Sequence, residues 1–188
     1  MYIYIIMKLK IPTGICIYLT GISGSGKTTV ANILKYKLNK IDTRKITILD
    51  GDEIREHISK GLGFSKKDRS INIRRIGYLS NLINTHGGIS ICSNIAPYAS
   101  DRLYNRNLIT SNNNDYVEVF LKSSVQECIK RDPKGLYKIN NKNIIESADE
   151  YEIPTNNELT IHTEKYTKEK TTELILNYLE AQNMLNIY

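Results

Sequence analysis

The stretch ICIYLTGISGSGKTTVANILKYKLNK, residues 15–40, decides the fold. Ile15 to Thr20 is a continuous apolar run that reads as a buried strand, and Val30, Ile33, Leu34 and Leu38 recur at helical spacing. Between them, Gly21-Ile22-Ser23-Gly24-Ser25-Gly26-Lys27-Thr28 fits G-x-x-x-x-G-K-[ST], placed after a strand and ahead of a helix as the chemistry requires. Glycines let the backbone curl until successive N–H groups and the helix N-terminus face a phosphate. Lys27 is positioned to reach the outer phosphates, and the Thr28 hydroxyl to help hold Mg²⁺. The loop predicts a nucleotide site made of Gly21, Ser23, Gly24, Ser25, Gly26, Lys27, Thr28 and Thr29. It does not name the reaction, because hydrolases and kinases share it.

Outward from this loop, β-rich runs at Ile46 to Leu49, Ile89 to Ser93 and Tyr116 to Leu121 alternate with helix candidates at Ser65 to Thr85 and Ser124 to Arg131. Leu159 to His162 reads as a last strand and Lys165 to Gln182 as a closing amphipathic helix. That order predicts an α/β chain of the three-layer phosphate-loop NTPase type, a mainly parallel sheet flanked by helices. The 188 residues suit one domain, with 1–13 as an N-terminal extension whose start, MYIYIIM, reads as an extra edge strand too short to cross a bilayer. In open sheets of this kind ligands gather beyond the carboxyl ends of the strands, so Thr20, Asp50 and Ser93 should share one edge.

The formal charge of +6 favours an anionic partner. There is no long basic block and no basic stripe interleaved with aromatics, so small phosphorylated molecules fit better than nucleic acid or a membrane surface. Cys16, Cys92 and Cys128 are far apart and odd in number, which predicts reduced packing residues in a cytoplasmic protein. His57, His86 and His162 are equally scattered and suggest no zinc site.

After the second strand comes LDGDEIREHISKGLGFSKKDRSINIRR, residues 49–75. Asp50 and Asp52 emerge at the ligand edge, where a carboxylate can take the proton of an attacking hydroxyl or orient Mg²⁺; Asp52 also suits a helix N-cap. Ser65 to Asp68 reads as a capping box. On the helix that follows, Arg69, Asn72, Ile73, Ile76, Leu79 and Ile83 share one face, so Arg69 and Asn72 continue a buried surface. A buried arginine needs an anion, from a ligand or from the protein. Arg74 and Arg75 point elsewhere. Asn39-Lys40-Ile41-Asp42 and Asp132-Pro133-Lys134-Gly135 spell guanine-nucleotide motifs, but both stand at the wrong place in the chain.

With these residues in view, the sequence resembles the adenylyl-sulfate kinases, which pass the γ-phosphate of ATP to the 3′-hydroxyl of adenylyl sulfate. The matching pieces are GISGSGKTT, LDGDEIR, LGFSKKDRSINIRRIGYL, NIAPY with the following DR, YVEVFL and RDPKGLYK. They keep the family's order from about Gly14 to Lys138. The resemblance implies ATP as co-substrate with Mg²⁺, and Asp52 as the base beside the acceptor hydroxyl. It implies Arg55, Phe64, Arg69 and Asn72 as the groups holding adenylyl sulfate, with Ile95 and Ala96 lining the same pocket. Lys134 falls on a mobile segment, residues 131–153, that closes over both nucleotides. Arg131 lies where the family packs an arginine near the ATP adenine. A homodimer is implied as well.

Three departures stand out. Glu53 replaces the usual Asn, and Ala96 replaces a serine proposed elsewhere as a phosphoenzyme site, which leaves direct in-line transfer. After Lys138 the chain runs INNKNIIESADE to Tyr151-Glu152 and lacks the family's Phe-Thr-Gly segment, whose Phe stacks on the acceptor adenine. Phe64 then works alone, or Ile144, Ile145 or Tyr151 substitutes. Two other readings stay open: a kinase of a different 5′-modified nucleotide, and a nucleotide-binding protein with little turnover.

Overall fold

A computed structural model describes residues 12–132 and 150–186. The expected extension lies outside these residues apart from Pro12 and Thr13, and so do Lys134, Ile144, Ile145 and most of the predicted closing segment.

The elements follow in the order β1 (Ile15–Thr20), α1 (Lys27–Leu38), β2 (Ile46–Asp50), α2 (Gly51–His57), α3 (Lys66–Thr85), β3 (Ile89–Ser93), α4 (Ala99–Thr110), β4 (Asp115–Lys122), α5 (Val125–Arg131), β5 (Leu159–His162) and α6 (Lys168–Ala181). The five strands form one parallel sheet in the order β2-β3-β1-β4-β5. The strand that feeds the glycine loop is thus central.

Strand pleating splits the core in two. Ile15, Ile17 and Leu19 point to one face, where Val30, Leu34 and Leu38 of α1 meet Ile175 and Leu179 of α6. Cys16 and Tyr18 point to the other, against Ile73 and Ile76 of α3 and Ile109 of α4. All three cysteines are buried free thiols. Among the described residues no helix is long and apolar enough to cross a membrane.

Helix α3 begins as its capping box predicts: Ser65 accepts the Asp68 amide at 3.2 Å, and its hydroxyl donates to the Asp68 carboxylate at 2.8 Å. The cap of α2 differs from expectation. Asp50, not Asp52, occupies it, accepting the Asp52 amide at 3.0 Å, because β2 runs one residue further than its apolar run. The sequence reading names no helix at α4, whose buried face is mainly polar. Its buried residues are Asp101, Arg102, Asn105 and Ile109. It crosses α3 at Gly77, where a Cβ would lie 2.0 Å from the Asn105 side-chain oxygen.

The misplaced N-K-x-D string ends in a structural clasp. Asp42 holds Arg44 at 2.6 Å, and Arg44 reaches the carbonyls of Thr13 at 2.7 Å and Met184 at 2.6 Å, tying both ends of the described chain together.

Candidate active site

The first turn of α1 has neither a side-chain cap nor an acidic residue, so its amides are left to an anion. Gly26, the residue before it, has φ 97° with open space where a Cβ would project; the glycine is demanded by backbone conformation alone. Gly24 is demanded twice over, by φ +80° and by Cys128, whose Cβ would stand 3.0 Å from an added methyl. Lys27 is almost buried. Its ammonium donates to the carbonyls of Gly21 at 2.8 Å and Ile22 at 2.7 Å, folded into the hollow of its own loop. Thr28 and Thr29, on the first turn of α1, are exposed beside it.

Thr28 is joined to the strand ends. Its hydroxyl donates to Asp50 Oδ2 at 2.9 Å and lies 3.4 Å from the Ser93 hydroxyl. Asp50 and Ser93 are register partners at the ends of β2 and β3. The sequence assigned Thr28 to the metal and offered Asp50 or Asp52 as a carboxylate to orient it; the fold brings Asp50, and with it Ser93, to Thr28. An all-oxygen set of two hydroxyls and one carboxylate suits Mg²⁺ that keeps waters and takes its remaining ligands from phosphates. Among the described residues there is no cluster of three or more His, Cys, Asp or Glu side chains that could hold a metal.

Asp52 is exposed in the first turn of α2, one turn before Arg55. Arg55 crosses to the next loop, donating to the Gly63 carbonyl at 3.0 Å with its guanidinium 4.7 Å from the centre of the Phe64 ring. Arg69 approaches the same ring at 5.9 Å and donates to the Phe64 carbonyl at 2.7 Å. Partial burial, and then the Arg69 charge, hold the Arg55 guanidinium below its usual range, with Asp52 and Asp68 acting against them. Asn72 lies on the buried face of α3 as predicted, and its side-chain oxygen has no hydrogen-bond partner among the described residues.

The loop after β3 carries Ile95 and Ala96. The Ile95 carbonyl accepts the Thr20 hydroxyl at 2.6 Å, and Ala96 is fully buried at φ 47°. Tyr151, one of the suggested replacements for the missing Phe, is committed elsewhere. Its ring stacks on Phe120 at 5.6 Å and its hydroxyl meets Thr20 at 2.9 Å. Arg131 pairs with Glu127 at 3.0 Å and donates to the Thr163 carbonyl at 2.9 Å, which places it beside the β5 end. Arg74 pairs with Asp101 at 3.0 Å, and Arg75 donates to the Ile58 carbonyl at 3.0 Å, so neither joins the pocket.

A phosphate loop on the central strand, a hydroxyl–carboxylate pair beside it and a cationic pocket with its own aromatic together define a phosphate-loop kinase with a separate acceptor site. The adenylylsulphate kinase family model matches residues 13–162, and the chain belongs to that family. The Staphylococcus epidermidis adenylyl-sulfate kinase is 43% identical over 173 residues, spanning 90% of this chain and 85% of that protein. The Mycobacterium tuberculosis APS kinase, solved in complex with AMPPNP and APS, superposes with TM-score 0.81 at 31% identity, covering 90% of this chain and 99% of the other. A hexameric APS kinase from Thiobacillus denitrificans gives TM-score 0.74 at 33% identity, covering 95% of this chain and 31% of that longer one.

Proposed function

We propose that the protein transfers the γ-phosphoryl of ATP to the 3′-hydroxyl of adenylyl sulfate, giving 3′-phosphoadenylyl sulfate and ADP. The observation that carries this reading is the Arg55–Phe64–Arg69 pocket. It offers two cations and a stacking surface to one ligand, which is what an adenine nucleotide with an anionic phosphosulfate tail requires.

In this reading the loop amides and Lys27 hold the ATP phosphates, and Lys27 exchanges its carbonyl partners for the phosphoryl oxygens as charge spreads over them. Asp52 accepts the proton of the 3′-hydroxyl as its oxygen attacks phosphorus in line with the departing ADP. Ala96 has no hydroxyl to intercept the phosphoryl, so transfer is direct. Arg55 and Arg69 bind the phosphosulfate, Phe64 stacks on the base and the Asn72 side-chain oxygen accepts a ligand N–H or O–H. Bound Mg²⁺ would disperse charge on the phosphates, held through Thr28 with Asp50 and Ser93. Arg131 and Lys134 complete the proposed nucleotide-binding set.

We also place the protein in the cytoplasm, on its free buried thiols, and infer a homodimer. The dimer is what the family resemblance implies. Sedimentation velocity tests it.

A coupled assay of ADP release tests the reaction. The rate should depend on adenylyl sulfate and exceed that with other 5′-modified adenine or guanine nucleotides. Asp52→Ala should abolish turnover while leaving ATP affinity within about twofold. Equal rates with every acceptor, or an active Asp52→Ala variant, would refute the assignment.

A further inference from the structure

The side chain of Arg102 ties together segments that are remote in sequence. It is 3% exposed. Nη1 donates to the carbonyls of Ala96 at 2.7 Å and Pro97 at 3.1 Å, Nη2 to the carbonyl of Glu152 at 2.7 Å, and Nε pairs with Glu118 of β4 at 3.1 Å. Around this fork, two short segments are zipped together. The Glu152 amide donates to the Pro97 carbonyl at 2.9 Å, the Glu152 carboxylate accepts the Ala99 amide at 2.6 Å, and the Tyr98 hydroxyl donates to Glu150. Tyr151 lies under the Arg102 guanidinium at 5.6 Å, and through Thr20 its hydroxyl reaches the Ile95 carbonyl.

The loop fixed in this way is not a relaxed one. Ala96 sits at φ 47°, a conformation that a non-glycine residue keeps only when its surroundings impose it. Arg102 binds the carbonyl of that same residue. A planar guanidinium can serve three carbonyls and a carboxylate in fixed directions; an ammonium cannot.

We infer that Arg102 is a positioning residue for the acceptor nucleotide. Anchored on Glu118, it holds the Ile95–Ala96 loop and the returning segment at Tyr151-Glu152 in one register without touching either substrate. The inference rests on the proposed reading that Ile95 and Ala96 line the acceptor pocket. Arg106 supplies an internal control. It shares Glu118 at 3.5 Å, but its other partners are Glu158 at 2.5 Å and the Asn156 carbonyl at 3.3 Å, away from the loop.

The test compares Arg102→Lys and Arg106→Lys, which both keep a cation beside Glu118. Arg102→Lys should raise KM for adenylyl sulfate on the order of tenfold to a hundredfold with KM for ATP within about twofold, as expected of a displaced binding loop. Arg106→Lys should leave both KM values near wild type even where its melting temperature falls equally. Hydrogen exchange supplies a readout independent of turnover: the Glu152 amide should lose protection in Arg102→Lys and keep it in Arg106→Lys. Unchanged acceptor KM and unchanged exchange in Arg102→Lys, or the same changes in both variants, overturn the inference. A wild-type protein that does not phosphorylate adenylyl sulfate defeats the functional reading instead, and exchange alone then decides whether Arg102 holds the loop.

Discussion

Replacing Arg55 by Gln should weaken acceptor binding while costing the folded protein little. The guanidinium makes one described hydrogen bond, to the Gly63 carbonyl at 3.0 Å, in an exposed setting. Such a bond contributes about 1 kcal/mol. Against that loss stands relief of its repulsion by Arg69. Both cations lie within 6 Å of the Phe64 ring, so they are no more than about 12 Å apart. At that range, in a partly solvated site, like charges repel by about 0.5 kcal/mol. The Arg55–Phe64 contact and the attraction of Asp52 and Asp68 are lost as well, so the loss outweighs the relief and the melting temperature should fall by about two to four degrees. Ligand binding has no such compensation. A charge-assisted hydrogen bond to an anion contributes about 1.5 to 3 kcal/mol, so KM for adenylyl sulfate should rise about 10- to 150-fold. KM for ATP should stay put, because the ATP loop is built from other residues. Steady-state kinetics at saturating ATP, with a parallel melting curve, measure both halves. An acceptor KM within twofold of wild type, or a matching rise in KM for ATP, would refute the reasoning.

Two further substitutions probe the rest of the site and the frame. Asp50→Asn preserves a good N-cap for α2 but removes the charge beside Thr28. The Mg²⁺ concentration for half-maximal turnover should therefore rise about 10- to 100-fold, at unchanged melting temperature; an unaltered Mg²⁺ requirement would contradict the placement of Asp50. Burial pushes the Asp42 carboxyl up, but hydrogen bonds from Arg44 and the Asn186 amide outweigh it and hold the group below its usual range. A lowered native value means that the clasp stabilises the fold above the unfolded aspartate range and that this contribution is lost as pH falls through the native value. Asp42→Asn should thus lower the melting temperature near neutrality, and the gap to wild type should shrink in melts across pH as the pH falls through the native value. A gap independent of pH would show that the charge is not what matters.

The legible part of this protein is whatever depends on local pattern. The apolar run Ile15 to Thr20, the glycine loop and the helical spacing after it are contiguous, and they fix the central strand, the nucleotide loop and the parallel sheet. Arg69 and Asn72 could be placed on the buried face of α3 because the apolar residues that follow set the phase of that helix. Helix α4 could not be read, since its inward face is polar and is satisfied by partners on other elements: Asn105 donates to the Ile73 carbonyl, and Arg102 to carbonyls as far away as Glu152. Asp50 and Asp52 look equivalent on either side of Gly51. Only the pairing of Asp50 with Ser93 across β2 and β3, and its contact with Thr28, separates a carboxylate beside the phosphate loop from one exposed on the first turn of α2. The role of Tyr151 was also hidden, because its stacking partner Phe120 lies on β4, remote in sequence.

The most direct test of the central claim is the identity of the product. Protein incubated with ATP and adenylyl sulfate should yield one phosphoryl group on the ribose 3′-oxygen for each ADP formed, readable by phosphorus NMR and mass spectrometry. Recovery of the γ-phosphate as inorganic phosphate, or its transfer to any other oxygen, would contradict the account.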